Sequence, residues 1–482
     1  MVSLDNTILT VALPTIERVL HASSSQLQWI VDAYVLVFAG LLLTLGSLGD
    51  RIGRKTVFMA GLALFAGGST ICAFASTPDR LIAARAFLGI GAAAIMPSTL
   101  SILINLFPEP AERAKAIGIW SGTSGLGVAI GPVAGGWLLA HYWWGSIFLV
   151  NVPIALAGLV AAALACPPSK NPASKRPDPV GAALSIAGMA LLVWGIIDAP
   201  ERGWSSPVVL GAIVAGAVVL AGFVAFERRS SHPMLEIGFF RSLRFSAAMA
   251  AMAMVIFALM GTLFLVTQYL QFSLGYSPLD TGLRVAPVAL LLLVAAPASM
   301  LAVHRLGTKP VVATGMALIA LGLYLISRVH VGAGYFDLLP AFIVLGVGTG
   351  LSLAPSTDAV MGTLPLEEAG AGAATNSAAL QVGAALGVAV LGSLLNTRYQ
   401  NLVAPALARY PVPKGILELI LGSVGGALAV AARVPGAAGH ELAALAQRGF
   451  VSGLDLAMAV GAGVVLAGAL VALLLIPNRP RR

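Results

Sequence analysis

Three acidic residues, Asp5, Asp32 and Asp358, fall within long apolar stretches of the sequence. An aspartate at the centre of a bilayer costs about 2.5–3.5 kcal/mol on insertion scales, so each must face a cavity or a partner. Burial favours the protonated form of a carboxyl group, whereas a nearby cation favours the ionised form. A proton and a cationic substrate can therefore compete for one carboxylate. A structural hydrogen bond, or a helix end within reach of water, is the alternative explanation for Asp32 and Asp358.

The composition indicates what surrounds these acids. Of the 482 residues, 58% are hydrophobic and only 10% are charged, which is more apolar surface than one soluble core can bury. The net charge of +8 comes from short polar segments between apolar stretches, a pattern typical of membrane topology and not of nucleic-acid binding. The sequence contains no P-loop, His/Glu cluster or nucleophile arrangement, so it does not predict an enzyme or an ATP-driven pump. We therefore expect an all-α integral membrane protein that is not an enzyme and needs no cofactor or metal.

The apolar stretches recur at the length of a membrane span, roughly 18 to 25 residues. Basic residues concentrate in alternate loops, as the positive-inside rule requires when both termini are cytoplasmic. Region 397–453 is predicted to be an external loop with an amphipathic or surface helix, because a fifteenth span would place the arginine-rich tail outside. The first span is short at its start, so we expect further residues before it in a complete chain. The fourteen predicted spans lie near 1–20, 27–48, 57–75, 81–105, 115–139, 146–166, 179–198, 207–226, 245–271, 281–303, 310–327, 338–361, 370–396 and 454–476.

Two segments of the sequence occur twice in the same order. Asp50–Lys55 reappears as His304–Lys309, and Leu88–Gly91 reappears as Leu345–Gly348. Such repeats predict two parallel, pseudo-symmetric six-helix halves that can rock around a central site. The predicted divisions are an N-terminal half at 1–166, a central two-helix insert with cytoplasmic connectors at 167–244, and a C-terminal half at 245–482.

Four motifs in the N-terminal half resemble those of a known family. They are Leu4-Asp5-Asn6-Thr7 running to Pro14, Gly46 to Lys55, Arg85 to Gly91, and Gly131 to Gly136. Together they resemble the signature motifs of the major facilitator superfamily, in its fourteen-helix drug:proton antiporter branch, the quaternary-ammonium and multidrug exporter group. The resemblance implies the major facilitator fold with a 6+2+6 arrangement of helices.

The second of these motifs is predicted to be a conformational gating loop. Gly46 permits close helix approach, Gly53 allows a tight turn, and Asp50 can accept from helix N-terminal amides or pair with a cation across the two halves. The alternative is that the basic residues only anchor the topology. The residues of the loop motif are Gly46, Asp50, Arg51, Gly53, Arg54 and Lys55.

The resemblance also implies roles for the other motifs. Asp5 is implicated in drug and proton handling, and Arg85 in proton transfer, although an arginine near a helix end could instead extend to the membrane surface. The fifth span carries a face of small residues that favours close helix packing, and in the family this motif is associated with export. Its residues are Gly127, Gly131, Pro132, Gly135 and Gly136.

The sequence departs from polyspecific members of the branch at two places. Leu292 stands where some have an acid in the tenth helix, and Asn376 and Ser377 stand where some have a glutamate pair in the thirteenth. The pattern therefore does not predict recognition of dications. Neutral hydrogen-bonding groups and aromatic surfaces are predicted for a substrate cavity instead, with ordinary packing as the alternative for the aromatic residues. The candidates are Tyr34, Trp120, Phe264, Tyr269, Asn376, Ser377 and Gln381.

These features predict a proton-coupled antiporter that exports hydrophobic or cationic drugs across the bacterial cytoplasmic membrane by alternating access. The expected partners are small-molecule substrates, protons and the lipid bilayer, without nucleic acid, and we expect the monomer to function. The nearest alternative is a dedicated exporter of an endogenous lipid or secondary metabolite. A passive channel is a further alternative.

Overall fold

A computed structural model describes residues 1–107, 109–170, 177–230, 233–363 and 369–475. The secondary structure of this described part is helical, and thirteen of its helices are long and apolar enough to cross a membrane. The predicted all-α membrane architecture is therefore confirmed. Lys175, Arg176 and the arginine-rich tail lie outside the described residues, so the cytoplasmic location of both termini stays a prediction.

The helices of the N-terminal half begin and end at local signals in the sequence. Ser23 and Gln26 form a capping box before the second helix, and Thr77 caps the fourth helix ahead of Pro78. The sixth span is divided at Val150, because Pro153 has no N–H to donate to the carbonyl four residues earlier. The helices are α1 Val2–Leu20, α2 Ser24–Ile52, α3 Arg54–Ala73, α4 Pro78–Leu106, α5 Pro110–His141, α6 Ser146–Leu149 and α7 Asn151–Ala165.

Two helices of the central insert pack on each other and are followed by the C-terminal half. The helix α10 continues into a π-helical turn, Tyr269–Ser273, and a 3₁₀ turn, Ile237–Arg241, precedes it. The remaining helices are α8 Pro179–Arg202, α9 Pro207–Arg229, α10 Leu243–Gln268, α11 Pro278–Leu306, α12 Thr308–Ser327, α13 Tyr335–Met361, α14 Ala369–Leu407, α15 Lys414–Gly422, α16 Val424–Ala431 and α17 Ala437–Leu475.

The predicted spans and the observed helices differ at two places. The helix α1, which carries three ionisable residues, lies outside the thirteen apolar spans, so the count of fourteen stays a prediction. Most of the predicted loop 397–453 is helical, because α14 and α17 extend into it and the hairpin of α15 and α16 lies between them. Both hairpin helices are far shorter than the roughly 20 residues of a span.

The two halves use glycine in the same way, as the sequence repeat predicts. A methyl group added at Gly61 would lie 3.2 Å from the carbonyl oxygen of Gly91, and one at Gly315 would lie 2.7 Å from that of Gly348. The backbone is left-handed at Gly53, with a φ of 136°, and at the matching Gly307, with a φ of 89°. Only glycine adopts these angles without strain, so each repeat requires its turn glycine.

The halves meet through α2 with α14 and through α5 with α11. The side chain of Gln28 donates to the carbonyl of Val388 at 3.1 Å, and that of Gln271 donates to the carbonyl of Val11 at 2.8 Å. Gly282 lies against the backbone of Pro132. In the predicted topology these contacts lie on the external side of the membrane, so that is where the described residues hold the halves together.

Candidate functional site

The centre of the site is a buried ion pair between two helices of the N-terminal half. Arg85 on α4 donates from Nη1 to Oδ2 of Asp5 on α1 at 2.5 Å, and both side chains are excluded from solvent. Sequence patterns predicted each residue as a coupling group, and the structure brings the two together. Each charge offsets the free-energy cost of burying the other, a cost that an isolated buried charge would bear in full.

The guanidinium of Arg85 is fixed by neighbours besides Asp5. Its Nε donates to the carbonyl of Ile30 at 3.1 Å, and its Cζ lies 4.3 Å from the centre of the Tyr34 ring, within the range of a cation–π contact. Arg85 is 0% exposed. The alternative that this arginine extends to the membrane surface is therefore wrong.

A third member of the group was not found from the sequence. Asn151, the first residue of α7, is fully buried and donates from Nδ2 to Oδ1 of Asp5 at 2.8 Å. The carboxylate of Asp5 thus has a donor at each oxygen. An amide within an apolar stretch, two residues before Pro153, was the available signal, but it does not say which helix the amide faces.

Asp32 is also buried, but in different surroundings. Its side chain lies in α2 at 0% exposure, and neither carboxyl oxygen has a hydrogen-bond partner among the described residues. Asp32 lies one turn beyond Gln28 on the same face of α2, and Gln28 reaches α14 of the other half. The carboxyl group is therefore held near the boundary between the halves, and no described cation pairs with it.

The third predicted acid lies apart from this group. Asp358 is exposed and sits in the last turn of α13, so the structure favours the alternative of a helix end within reach of water. Asp198, also near a helix end, forms an ion pair with Arg202. Neither carboxylate carries the cost of burial that singles out Asp5 and Asp32.

The residues predicted for a substrate cavity fall into two groups. The aromatic side chains of Tyr34, Phe264 and Tyr269 are buried, at 0%, 3% and 0% exposure, so packing accounts for all three in this conformation. Trp120 and Gln381 are partly exposed. Asn376 is 9% exposed, and its Oδ1 has no partner among the described residues, which leaves a neutral hydrogen-bonding group available.

The loop predicted to act as a gate has the geometry that its glycines predict. A methyl group at Gly46 would lie 3.2 Å from Cβ of Pro97 on α4, which shows how closely α2 and α4 approach. Asp50 pairs with Arg54 across the Gly53 turn, at 2.6 Å, and not across the two halves. Lys55 donates to the carbonyl of Ala163 at 2.8 Å, and Arg51 is partly exposed. The loop therefore ties α2, α3 and α7 within one half.

The small-residue face of α5 packs against both halves. Gly127, Gly131 and Gly135 lie one turn apart and face α1, where a methyl group at Gly131 would overlap the side chain of Thr7. Gly136 faces the backbone of α11 at Leu279. The helix is thus held between α1 and α11 at distances that a larger side chain at Gly131 or Gly136 would prevent.

A buried acid near the C-terminal end of α1 was also missed. Glu17 is 3% exposed and accepts from the backbone N–H of Gly425, in the first turn of α16, at 2.9 Å. The positive end of a helix dipole stabilises a carboxylate there. Tyr399 donates to the carbonyl of Ile420 at 2.8 Å, so the hairpin of α15 and α16 is tied to both α1 and α14.

Comparisons with known proteins agree with this architecture. The sequence profile of the Major Facilitator Superfamily matches residues 1–388 and 248–435. The chain is 37% identical over 475 residues to the multidrug efflux pump LfrA of Mycolicibacterium smegmatis, covering 98% of this chain and 93% of the relative. It is 35% identical over 478 residues to the tetracenomycin C resistance and export protein of Streptomyces glaucescens, covering 98% and 89%.

A solved structure shows the same fold at low sequence identity. The bacterial homologue of the human lysosomal transporter Spinster, in an inward-facing and unoccupied conformation, has a TM-score of 0.67 and 17% identity, covering 99% of this chain and 95% of that one. The family is one of transporters, so the protein is not an enzyme, and its bacterial relatives place it in the cytoplasmic membrane as a multi-pass protein. The motifs, the helical architecture and the extent of these matches show that the chain belongs to the Major Facilitator Superfamily.

Proposed function

We propose that the protein is a proton-coupled antiporter that exports hydrophobic or cationic compounds by alternating access. The observation that carries the proposal is Asp32, a fully buried carboxyl group whose oxygens have no hydrogen-bond partner among the described residues. An unpaired carboxylate is costly in such a place, so the group is stable either with a proton or beside a cation. One binding step can therefore exclude the other, which is the requirement for exchange of a proton for a cationic compound.

The pair of Asp5 and Arg85 supports the same proposal. A buried ion pair between α1 and α4 is stable only while Asp5 is ionised, because protonation would leave Arg85 charged and unpaired. Proton binding at Asp5 thus changes the energy of the contact between two helices of the N-terminal half. This gives the proton a means of shifting the conformational equilibrium.

The direction and the substrate class are supported by relatives and by α5. The multidrug efflux pump LfrA and the tetracenomycin C resistance and export protein are both named for removal of compounds from the cell. The glycine face of α5, predicted as the export motif, is packed between α1 and α11. We therefore assign outward transport of small hydrophobic molecules to this chain.

The test is transport by the full chain, purified and reconstituted in liposomes. We expect uptake of lipophilic monocations into these liposomes to depend on an imposed pH gradient, and a further dependence on membrane potential would show that more than one proton is exchanged per monocation. Asp32→Asn and Asp5→Asn should each reduce proton-driven uptake by about tenfold or more. Asp198→Asn is the matched control, because that carboxylate is paired at a helix end. Asp358→Asn should also retain transport, since its exposed carboxylate carries no cost of burial.

Transport that is indifferent to both gradients would overturn the proposal. The same assay with dications tests the effect of Leu292, Asn376 and Ser377, which stand where some members of the branch have acidic residues. We expect monocations to be transported in preference to dications.

A dedicated exporter of a secondary metabolite is the second candidate function. It is favoured by the 35% identity to a relative whose name specifies one compound, tetracenomycin C. Profiling a deletion strain separates the two: altered susceptibility to many unrelated compounds favours multidrug export, whereas loss of one secreted metabolite with unchanged susceptibility favours the dedicated exporter.

A further inference from the structure

A groove between α3 and α4 opens to the outer surface of the N-terminal half. It has a volume of about 360 Å³ and lies where α3 ends and α4 begins, which the predicted topology places on the external side. Ile71 and Phe74 line it at 55% and 69% exposure, and Phe87 lines it from α4. Because these side chains are apolar, the groove favours a hydrocarbon chain over water.

One basic side chain lines the same groove. Arg80, in the first turn of α4, is exposed, and among the described residues its guanidinium donates only to the hydroxyl of Ser76, from Nη1 at 2.8 Å. A hydroxyl carries no charge, so this contact leaves the positive charge of Arg80 without a counter-ion. The neighbouring Asp79 does not line the groove, and its Oδ1 accepts from Nε2 of Gln26 at 3.0 Å.

Aromatic side chains indicate the depth of this end of the groove in the membrane. Tyr142 and Trp143 follow α5 at 57% and 47% exposure, and the ring centre of Trp143 lies 5.9 Å from that of Phe74. Exposed tyrosine and tryptophan are enriched where the hydrocarbon core meets the lipid head groups. Phe87 lies two turns beyond Arg80 along α4, roughly 10 Å further from this end. The groove therefore has a charged end at head-group depth and an apolar end within the hydrocarbon core.

We propose that this groove binds an anionic phospholipid of the external leaflet, with the phosphate at Arg80 and Ser76 and one acyl chain along Ile71 and Phe87. A guanidinium offers several N–H donors to a phosphate, and the hydroxyl of Ser76 accepts from Arg80 while its own hydrogen is free to donate to the lipid. A zwitterionic lipid carries a cation of its own beside the phosphate, so it gains less from the charge of Arg80.

The charge of Arg80 also distinguishes this groove from a path for transported cations. A lipophilic cation would be repelled by a guanidinium that has no counter-ion, whereas an anionic lipid is attracted to it. The groove is formed by α3 and α4 alone, and the halves meet elsewhere, through α2 with α14 and α5 with α11. The inference therefore does not depend on the proposed proton-coupled export.

Native mass spectrometry of the purified full chain measures the binding without requiring transport. The protein is freed of lipid in detergent and titrated with phosphatidylglycerol or with phosphatidylcholine of the same acyl chains. We expect phosphatidylglycerol to bind more tightly, and Arg80→Gln to weaken its binding by about fivefold. Arg80→Lys should bind it more tightly than Arg80→Gln, because lysine keeps the charge.

Arg202→Gln is the matched control for the loss of a charge. Arg202 is also exposed on the predicted external side, but it is paired with Asp198. Its replacement should leave the affinity for phosphatidylglycerol at the wild-type value.

Photo-cross-linking in liposomes tests the position of the lipid. A phosphatidylglycerol with a diazirine in one acyl chain should label the segment of α3 and α4 that contains Ile71 and Phe87. Ala83→Trp places a large side chain at an exposed position of the lining and should reduce this labelling. Val208→Trp, at an exposed apolar position of α9 on the same predicted side, should leave the labelling unchanged.

Equal affinity of the wild type and Arg80→Gln for phosphatidylglycerol would overturn the inference, as would labelling spread evenly over the lipid-facing helices. Loss of the label on adding a lipophilic monocation would show that a substrate occupies the groove, and this result would also overturn it. Because neither measurement uses a proton gradient, failure of the proposed antiport would leave the assignment of the lipid site intact.

Discussion

At the scale of single residues, the buried pair of Asp5 and Arg85 makes a prediction about stability that is separate from transport. Arg85→Met leaves a buried carboxylate without its cation, and we expect it to lower the free energy of unfolding by about 3 kcal/mol. The double variant Asp5→Asn/Arg85→Met removes both charges and should be more stable than Arg85→Met alone. Thermal unfolding of the purified variants in detergent measures both effects.

Transport separates the function of the pair from its contribution to the fold. The double variant should regain stability without regaining proton-driven uptake, because it has no group left to take up the proton. A double variant that is less stable than Arg85→Met would show that the pair does not interact as the structure indicates.

The sequence identifies the residues of this site whose charges are costly to bury, but it does not identify their partners. A charge in an apolar stretch is visible locally, which is why Asp5, Asp32 and Arg85 could be predicted. The partner is not visible, because Asp5 is 80 residues from Arg85 and 146 residues from Asn151. Asp358 is a related case: the predicted end of its span, at 361, agrees with the end of α13 at Met361, but the sequence does not show that this side chain is exposed.

At the scale of helices, the glycine face of α5 predicts a sharp difference between two similar substitutions. A methyl group at Gly131 would overlap the side chain of Thr7, so Gly131→Ala should separate α1 from α5 and destabilise the protein by about 1–3 kcal/mol. Gly122, in the same helix, has open space at the corresponding position. Gly122→Ala should therefore be neutral or slightly stabilising, since alanine favours a helix over glycine.

Unfolding temperature and liposome transport, measured for both variants, test this difference. Equal stability of Gly131→Ala and Gly122→Ala would contradict the packing that the structure shows. The two glycines cannot be told apart by composition, because both lie in a glycine-rich helix. The predicted motif includes Gly131 and not Gly122, but only the position of α1 shows that Gly131 makes contact and that Gly122 does not.

At the scale of the whole molecule, the repeat was predictable because it rests on short motifs with glycines at fixed positions. The matching turns of the two repeats each place a glycine, Gly53 or Gly307, at a positive φ. The interface between the halves was not predictable, because its contacts join distant parts of the chain. Gln28, an unremarkable polar residue near the start of α2, bonds to two carbonyl groups of α14.

This interface gives a direct test of alternating access. A methyl group at Gly392 on α14 would lie 2.9 Å from Cδ of Gln28, so cysteines at these two positions should be joined through two disulfides by a short bis-methanethiosulfonate cross-linker. In a Cys166→Ser background, the cross-linked Gln28→Cys/Gly392→Cys protein cannot separate its halves on the predicted external side. We expect transport in liposomes to stop and to return when the cross-link is cleaved by a reducing agent.

A matched pair within one half controls for the chemistry of cross-linking. A methyl group at Gly461 on α17 would lie 3.4 Å from a methyl carbon of Leu391 on α14, and both helices belong to the C-terminal half. The cross-linked Leu391→Cys/Gly461→Cys protein should transport normally, because its halves remain free to move. Undiminished transport by the cross-linked Gln28→Cys/Gly392→Cys protein would show instead that this side stays closed throughout the cycle, and alternating access between these halves would be wrong.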